Sequence, residues 1–140
     1  MYNFMLQFHS GLRWLVLLAA VICVVKSLIG LFSGGAYGKF DKAVATSYVM
    51  LMRVQFIIGF VLYFFLSPIT TRFSFNMGDP VERFWSVEHL LLMVFAIGAA
   101  EMGNSISKKS DDAQVKFKFQ SILFGISLLL ILLGIPWGRV

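Results

Sequence analysis

FQSILFGISLLLILLG, residues 119–134, decides the fold class because it contains no ionisable side chain. Together with the residues from about 113 onward, it can cross the roughly 30 Å hydrocarbon core of a bilayer as a helix. In that core no water can satisfy backbone polar groups, so the crossing segment must be helical. The sequence therefore predicts a transmembrane helix over about 113–134.

Three further apolar segments precede this one, at about 4–32, 43–66 and 84–105, and Gly, Pro and polar residues separate them. The chain has 140 residues, of which 59% are hydrophobic and only 14% charged. Soluble domains usually carry about a quarter charged residues, so a soluble enzyme, a disordered protein and a nucleic-acid binder are all excluded. We expect an all-α integral membrane protein, a single four-helix transmembrane bundle over residues 1–140 surrounded by lipid.

The net charge of +5 is better explained by membrane topology than by a nucleic-acid partner. The loops after the first and third helices are rich in lysine, whereas the other side of the membrane carries arginines. Cytoplasmic loops carry the excess of positive residues, so both termini are predicted to lie outside. The lysines predicted to lie inside are Lys39, Lys42, Lys108, Lys109, Lys116 and Lys118, and the arginines predicted to lie outside are Arg72, Arg83 and Arg139.

Ionisable groups within membrane helices are costly and are therefore functional candidates. His9 and His89 are the only histidines, and each lies one to two turns inside the outer end of its helix. The first and third helices both enter from outside, so the two imidazoles are expected at similar depth. Two such histidines can ligate one haem iron from opposite faces. Alternatively, each histidine only bonds a neighbouring helix.

Other residues would complete such a site. Arg13 lies four residues after His9 on the same helix face, where it could pair with a haem propionate or with Glu88. Arg72 and Arg83 are alternative propionate partners, because guanidinium binds carboxylate in a bidentate way. The chain has no C-x-x-C-H motif, so the haem would be b-type and noncovalent. Candidates for an apolar wall are Phe8, Phe56, Phe60 and Phe84.

The segment HSGLRWLVL (residues 9–17), with VEH (87–89) and IPW (135–137), resembles a family of small bacterial membrane proteins labelled cytochrome b-like. The resemblance covers essentially the whole chain. It implies a four-helix bundle in the bacterial inner membrane, with His9 and His89 as the haem ligands. Proteins of the b561 type carry more histidines and often two haems. Only one bis-histidine site is possible here.

The leading hypothesis is a b-type cytochrome-like electron-transfer subunit with one bis-histidine haem near the outer face. It would pass electrons between a quinone, or another membrane subunit, and a periplasmic partner. The main alternative is a haem-free accessory subunit that packs in a larger inner-membrane complex. A third possibility is a small proton-coupled transporter that uses the charges of Arg13, Arg53, Glu88 and His89.

Overall fold

The computed structural model describes residues 2–66 and 78–135, and every secondary-structure element in those ranges is helical. Four of the helices are long and apolar enough to cross a membrane, which confirms that part of the prediction. The elements are α1 (Tyr2–Ser33), α2 (Lys39–Val61) with a π-helical turn (Leu62–Leu66), α3 (Pro80–Arg83) with a π-helical turn (Phe84–Glu88), α4 (His89–Lys109) and α5 (Ala113–Gly134).

Two carboxylates explain where α2 and α5 begin. α2 starts at Lys39, before the expected position near residue 43, because Asp41 Oδ2 accepts the Gly38 N–H at 2.9 Å. Asp41 also forms a 2.9 Å ion pair with Lys26 of α1, which ties the two helices together beside their connecting loop. Asp112 caps α5 by accepting the Gln114 N–H at 2.9 Å.

The four long helices form a bundle in which each helix has two main neighbours. α1 packs on α2 and α5, and α4 packs on the same two helices. α1 and α4 therefore lie diagonally across the bundle. Short connections join α1 to α2 and α4 to α5, so neighbouring helices along the chain run antiparallel.

Small residues let the helices approach closely at the centre of the bundle. Ala20, Ala96 and Ala100 are fully buried, and none has a side chain larger than a methyl group. Tyr48 is also fully buried, and its hydroxyl donates to Ser127 Oγ, which in turn donates to the Ala96 carbonyl at 2.8 Å. A polar group buried in hydrocarbon needs such a partner.

Near the loops that join α1 to α2 and α4 to α5, the buried amide of Gln120 links three helices. It accepts from Ser27 Oγ at 3.1 Å and donates to the hydroxyls of Tyr37, at 2.6 Å, and Ser107, at 2.8 Å. With both its oxygen and its nitrogen paired, this amide costs little to bury. The bundle thus has a polar, lysine-bearing end and an opposite end that contains both histidines; we call them the lysine end and the histidine end.

Candidate functional site

Heptad spacing directs both histidines towards the bundle interior. Along α1 the buried positions include Val16, Cys23 and Gly30, and His9 lies seven residues before the first of them. Along α4 the buried positions include Ala96 and Gly103, and His89 likewise lies seven residues before the first. Because residues seven apart share one face of a helix, each histidine extends a buried stripe into the histidine end.

The two imidazole rings meet across the diagonal of the bundle. Their centres are 6.4 Å apart and their planes are inclined at 78°. A ring nitrogen lies about 1 Å from the imidazole centre and a metal–imidazole bond is about 2 Å long, so two rings on opposite sides of one metal ion have centres about 6 Å apart. The separation of His9 and His89 is therefore close to the distance that two imidazoles would have if both bound one metal ion.

A hydrogen bond sets the tautomer of His89. Its Nδ1 lies 2.9 Å from the carbonyl oxygen of Gly134 on α5. A carbonyl can only accept, so Nδ1 carries the proton and the lone pair of the neutral ring is on Nε2. Metal-bound histidines usually donate their second ring N–H to a carbonyl or carboxylate in this way. Ile135, the residue after Gly134, lines the cleft that both histidines face.

His9 is positioned by α2. The side-chain amide of Gln55 donates to the His9 carbonyl oxygen at 2.8 Å, and the imidazole lies against Gly59. A methyl group at position 59 would lie 3.2 Å from His9 Cε1, so glycine leaves the space that the ring occupies. His9 Nδ1 is buried and has no hydrogen-bond partner in the described part of the chain. Such a ring nitrogen is costly unless a ligand satisfies it.

The histidines face a largely apolar cleft that receives side chains from α1, α2, α4 and α5. The cavity inside this cleft measures about 130 Å³ and is partly open to the outside of the bundle. Of the four phenylalanines expected at its wall, Phe56 and Phe60 line the cleft. Phe8 is instead about half exposed and stacks on Phe4, while Phe84 is buried with its ring centre 5.7 Å from that of His89.

Arg13 brings a positive charge to the cleft. It lines the cleft one turn after His9, and its guanidinium carbon lies 4.7 Å from the centre of the Trp14 ring. Its Nε is buried without a hydrogen-bond partner, and Arg13 forms no ion pair with any residue of 2–66 or 78–135. The arrangement leaves the guanidinium able to bind an anionic group of a molecule in the cleft.

Of the two partners offered for Arg13, a haem propionate and Glu88, the structure contradicts the second. Glu88 Oε1 accepts from Arg83 Nε at 3.1 Å instead, because the π-helical turn brings residues five apart onto one face. This ion pair makes Arg83 less available to bind a haem propionate. Both side chains of the pair are exposed. The other proposed partner, Arg72, lies outside the described residues.

The charges proposed for a transporter do not form a continuous path. Arg53 forms two bonds to Glu101, Nε–Oε1 at 2.5 Å and Nη2–Oε2 at 2.9 Å, on the outer surface of α2 and α4. Arg13 and His89 line the internal cleft, whereas Glu88 pairs on the surface with Arg83. The four residues therefore lie in three separate places, namely the cleft and two surface ion pairs.

Three contributors to the site were absent from the sequence prediction: Gln55, Gly59 and Gly134. Gln55 carried a usable signal, since it is an uncharged polar residue within the apolar second segment. The two glycines carried none, because their roles depend on which neighbouring helix approaches them. Within residues 2–66 and 78–135 no group of three or more His, Cys, Asp or Glu side chains could hold a metal ion. Two histidines alone suit a metal whose other ligands come from a macrocycle.

No protein-family model, curated protein or solved structure matches the chain.

Proposed function

We propose that this protein is a membrane-bound b-type cytochrome-like electron-transfer subunit that holds one haem between His9 and His89. The observation that carries the proposal is the pair of inward-facing imidazoles from diagonal helices, with centres 6.4 Å apart and planes inclined at 78°. A bound haem would accept and release single electrons. The protein's own residues would fix the ligand orientation and the polarity around the site.

The residues around the histidines fit a flat, largely apolar molecule with acidic groups. Phe56 and Phe60 supply an apolar wall, and the bond from His89 Nδ1 to the Gly134 carbonyl leaves Nε2 as the ligating nitrogen. Arg13 would bind a propionate, because it is the charged residue that lines the cleft and has no carboxylate partner among the described residues. A positive charge near the iron favours the reduced state and raises the potential.

The proposal places the chain in a bacterial inner membrane with both termini outside. The lysines that support this orientation, among them Lys42, Lys108 and Lys116, lie at the lysine end. The haem would then lie near the outer face. An electron would reach it from a quinone or another membrane subunit and leave to a partner on the same side, since a single haem near one surface provides no path across the bilayer.

The test is haem binding by the purified protein. When the chain is expressed with a haem supply and purified in detergent, its dithionite-reduced minus oxidised spectrum should show a b-type α band. Haem extraction should give one haem per chain, because the sequence contains only two histidines. Absence of the α band from correctly folded protein would reject the haem proposal.

The angle between the rings provides a second readout. If the 78° inclination of the imidazole planes persists in the oxidised holoprotein, electron paramagnetic resonance should give a strongly anisotropic low-spin signal. Parallel rings would give an ordinary rhombic signal instead. A high-spin signal would show that one histidine does not ligate and would contradict the bis-histidine arrangement.

A specific observation favours the alternative, an accessory subunit within a larger complex. Arg53 lies about halfway along the span Lys39–Leu66, and its ion pair with Glu101 is exposed on the outside of the bundle. Their side chains are 46% and 40% exposed. Charged groups rarely face lipid at that depth, so a second membrane protein covering the α2–α4 face would explain them.

Replacing both residues, Arg53→Leu with Glu101→Leu, tests whether this face is covered. If it packs against a partner, the chain extracted from native membranes in mild detergent should change from a larger assembly to the size of the chain alone. The matched control is Arg83→Leu with Glu88→Leu, which removes an exposed pair close to the cleft. The accessory role would be contradicted if the unmutated chain extracted from membranes already had the size of a single chain and the Arg53→Leu, Glu101→Leu variant were more stable than it.

A further inference from the structure

A second pocket, polar in character, opens at the lysine end of the bundle. Lys39 and Lys42 reach it from the start of α2, Lys108 from the end of α4, and Lys116 from the start of α5. These ammonium groups belong to three different helices, so the fold itself brings four positive charges to one pocket. Mutual repulsion makes such a cluster unfavourable unless an anion offsets it.

Three of these lysines form no ion pair in the described part of the chain. Lys39, Lys42 and Lys108 form no ion pair with any residue within 2–66 and 78–135. The fourth, Lys116, donates to the Ser107 carbonyl at 2.9 Å and lies 4.8 Å from the centre of the Tyr37 ring. These two contacts hold it at the pocket wall without neutralising its charge.

The nearby carboxylates are engaged elsewhere. Asp41 pairs with Lys26 and accepts the Gly38 N–H, and Asp112 caps α5. Glu101 is bonded to Arg53 on the outer surface. Asp111 is exposed in the loop between α4 and α5 and does not line the pocket. None of these carboxylates forms an ion pair with a lysine of the pocket, so most of its positive charge is not balanced at close range.

The side chain of Asn104 provides an independent sign of a ligand. It is only 7% exposed, lines the pocket, and forms no hydrogen bond to any other residue that the structure describes. The amide atoms of Asn104 are open to the pocket, where a ligand can accept a hydrogen bond from the side-chain NH2. The hydroxyl of Tyr37 accepts from Gln120, so its own proton is available to the same pocket.

We infer that this pocket binds a phosphate group, with Lys39, Lys42 and Lys108 supplying charge and Asn104 supplying a side-chain N–H donor. Ammonium groups are common phosphate partners, and basic pockets between membrane helices bind the head groups of anionic lipids. The phosphate could belong to an anionic phospholipid or be free in solution. The inference concerns the opposite end of the bundle from the histidines and does not depend on haem.

Thermal unfolding of the full chain in detergent tests the site, because a ligand that binds only the folded state raises the midpoint. One arm adds phosphatidylglycerol, with phosphatidylcholine as its comparison; the other adds inorganic phosphate, with chloride at equal ionic strength. A rise with phosphatidylglycerol alone assigns the site to a lipid head group. A rise with inorganic phosphate as well assigns it to phosphate in general. No selective rise in either arm would overturn the inference.

Two sets of variants locate the binding. Lys42→Gln with Lys108→Gln should weaken apparent affinity at least about tenfold, since each removes one charge from the pocket. The control, Lys109→Gln with Lys118→Gln, removes the same charge from exposed residues that do not line it. Equal losses in the two double variants would mean that surface charge alone attracts the probe, which would overturn the site.

Asn104→Asp is a variant that should lose ligand binding without destabilising the fold. The carboxylate is nearly the same shape as the amide and would lie among the lysines, so it should raise the midpoint of the ligand-free protein. It should also abolish the response to the probe that stabilises the unmutated chain, because it repels phosphate from the buried position. A variant that keeps the full response would overturn the role of Asn104 and, with it, the proposed pocket.

Discussion

If His89 ligates a haem as proposed, replacing it with alanine is expected to abolish the reduced α band and to lower haem affinity by at least about tenfold, because the ligating imidazole and its bond to Gly134 are lost together. His9→Ala should have a comparable effect from the other side of the cleft. The measurement is haem content after purification, followed by spectroscopic titration of the apoprotein with haem. Added imidazole should partly restore the low-spin spectrum, since alanine leaves space for the missing ring.

Met93→Leu is the matched control for this experiment. Met93 lines the same cleft and lies one turn after His89, so its sulfur is a soft ligand that could replace the imidazole. Leucine retains its approximate volume and removes the sulfur. We expect the bis-histidine spectrum to survive this change. Retention of a low-spin haem in His89→Ala, and its loss in Met93→Leu, would replace the proposed ligand pair with a histidine–methionine pair.

Gly30→Ala should destabilise the bundle by about 1–3 kcal/mol, the cost typical of overpacking a well-packed interior. Gly30 is buried on α1, and the fully buried ring of Phe117 on α5 occupies the position that a Cβ atom would take. The ring cannot move without separating the two helices. Unfolding in detergent with increasing sodium dodecyl sulfate would measure the change in free energy.

Gly98→Ala provides the comparison for the same added methyl group. Gly98 lies within α4, and nothing lies within 4 Å of a Cβ atom built there. Alanine is the better helix former by up to about 1 kcal/mol, so this variant should match or exceed the stability of the unmutated chain. Equal destabilisation by both substitutions would show that the helix–helix contact at Gly30 is looser than described.

The transmembrane helices could be predicted because the bilayer leaves few solutions for an apolar segment of their length. The start of α2 could not be predicted, because it depends on the contacts of Asp41. This carboxylate accepts the Gly38 N–H and forms an ion pair with Lys26 of another helix. Similarly, Glu88 lies one residue before His89 in sequence, yet its partner was mispredicted. The π-helical turn, which apolar spacing does not reveal, decides that Arg83 reaches it.

The histidine pair was accessible to sequence reasoning for a simpler reason. Both residues lie seven positions before the first buried residue of a heptad stripe, and helix direction gives them similar depth. What sequence could not supply is that α1 and α4 lie diagonally, so that the rings meet across the interior. The same limit applies to Asn104, whose burial beside several lysines depends on how the loops close.

The π-helical turn Phe84–Glu88 also affects how this chain tolerates changes in length. The backbone N–H of His89 bonds to the Phe84 carbonyl, five residues earlier, so the turn contains one residue more than an α-helix of the same rise. Deleting one residue there would let an ordinary α-helix form with α4 unmoved. The segment before it would keep its orientation, and Arg83 and Glu88 would then be four residues apart and still on one helix face. The turn thus holds one residue that the helix could lose, because a deletion there leaves both the approach to α4 and the face that carries His89 in register.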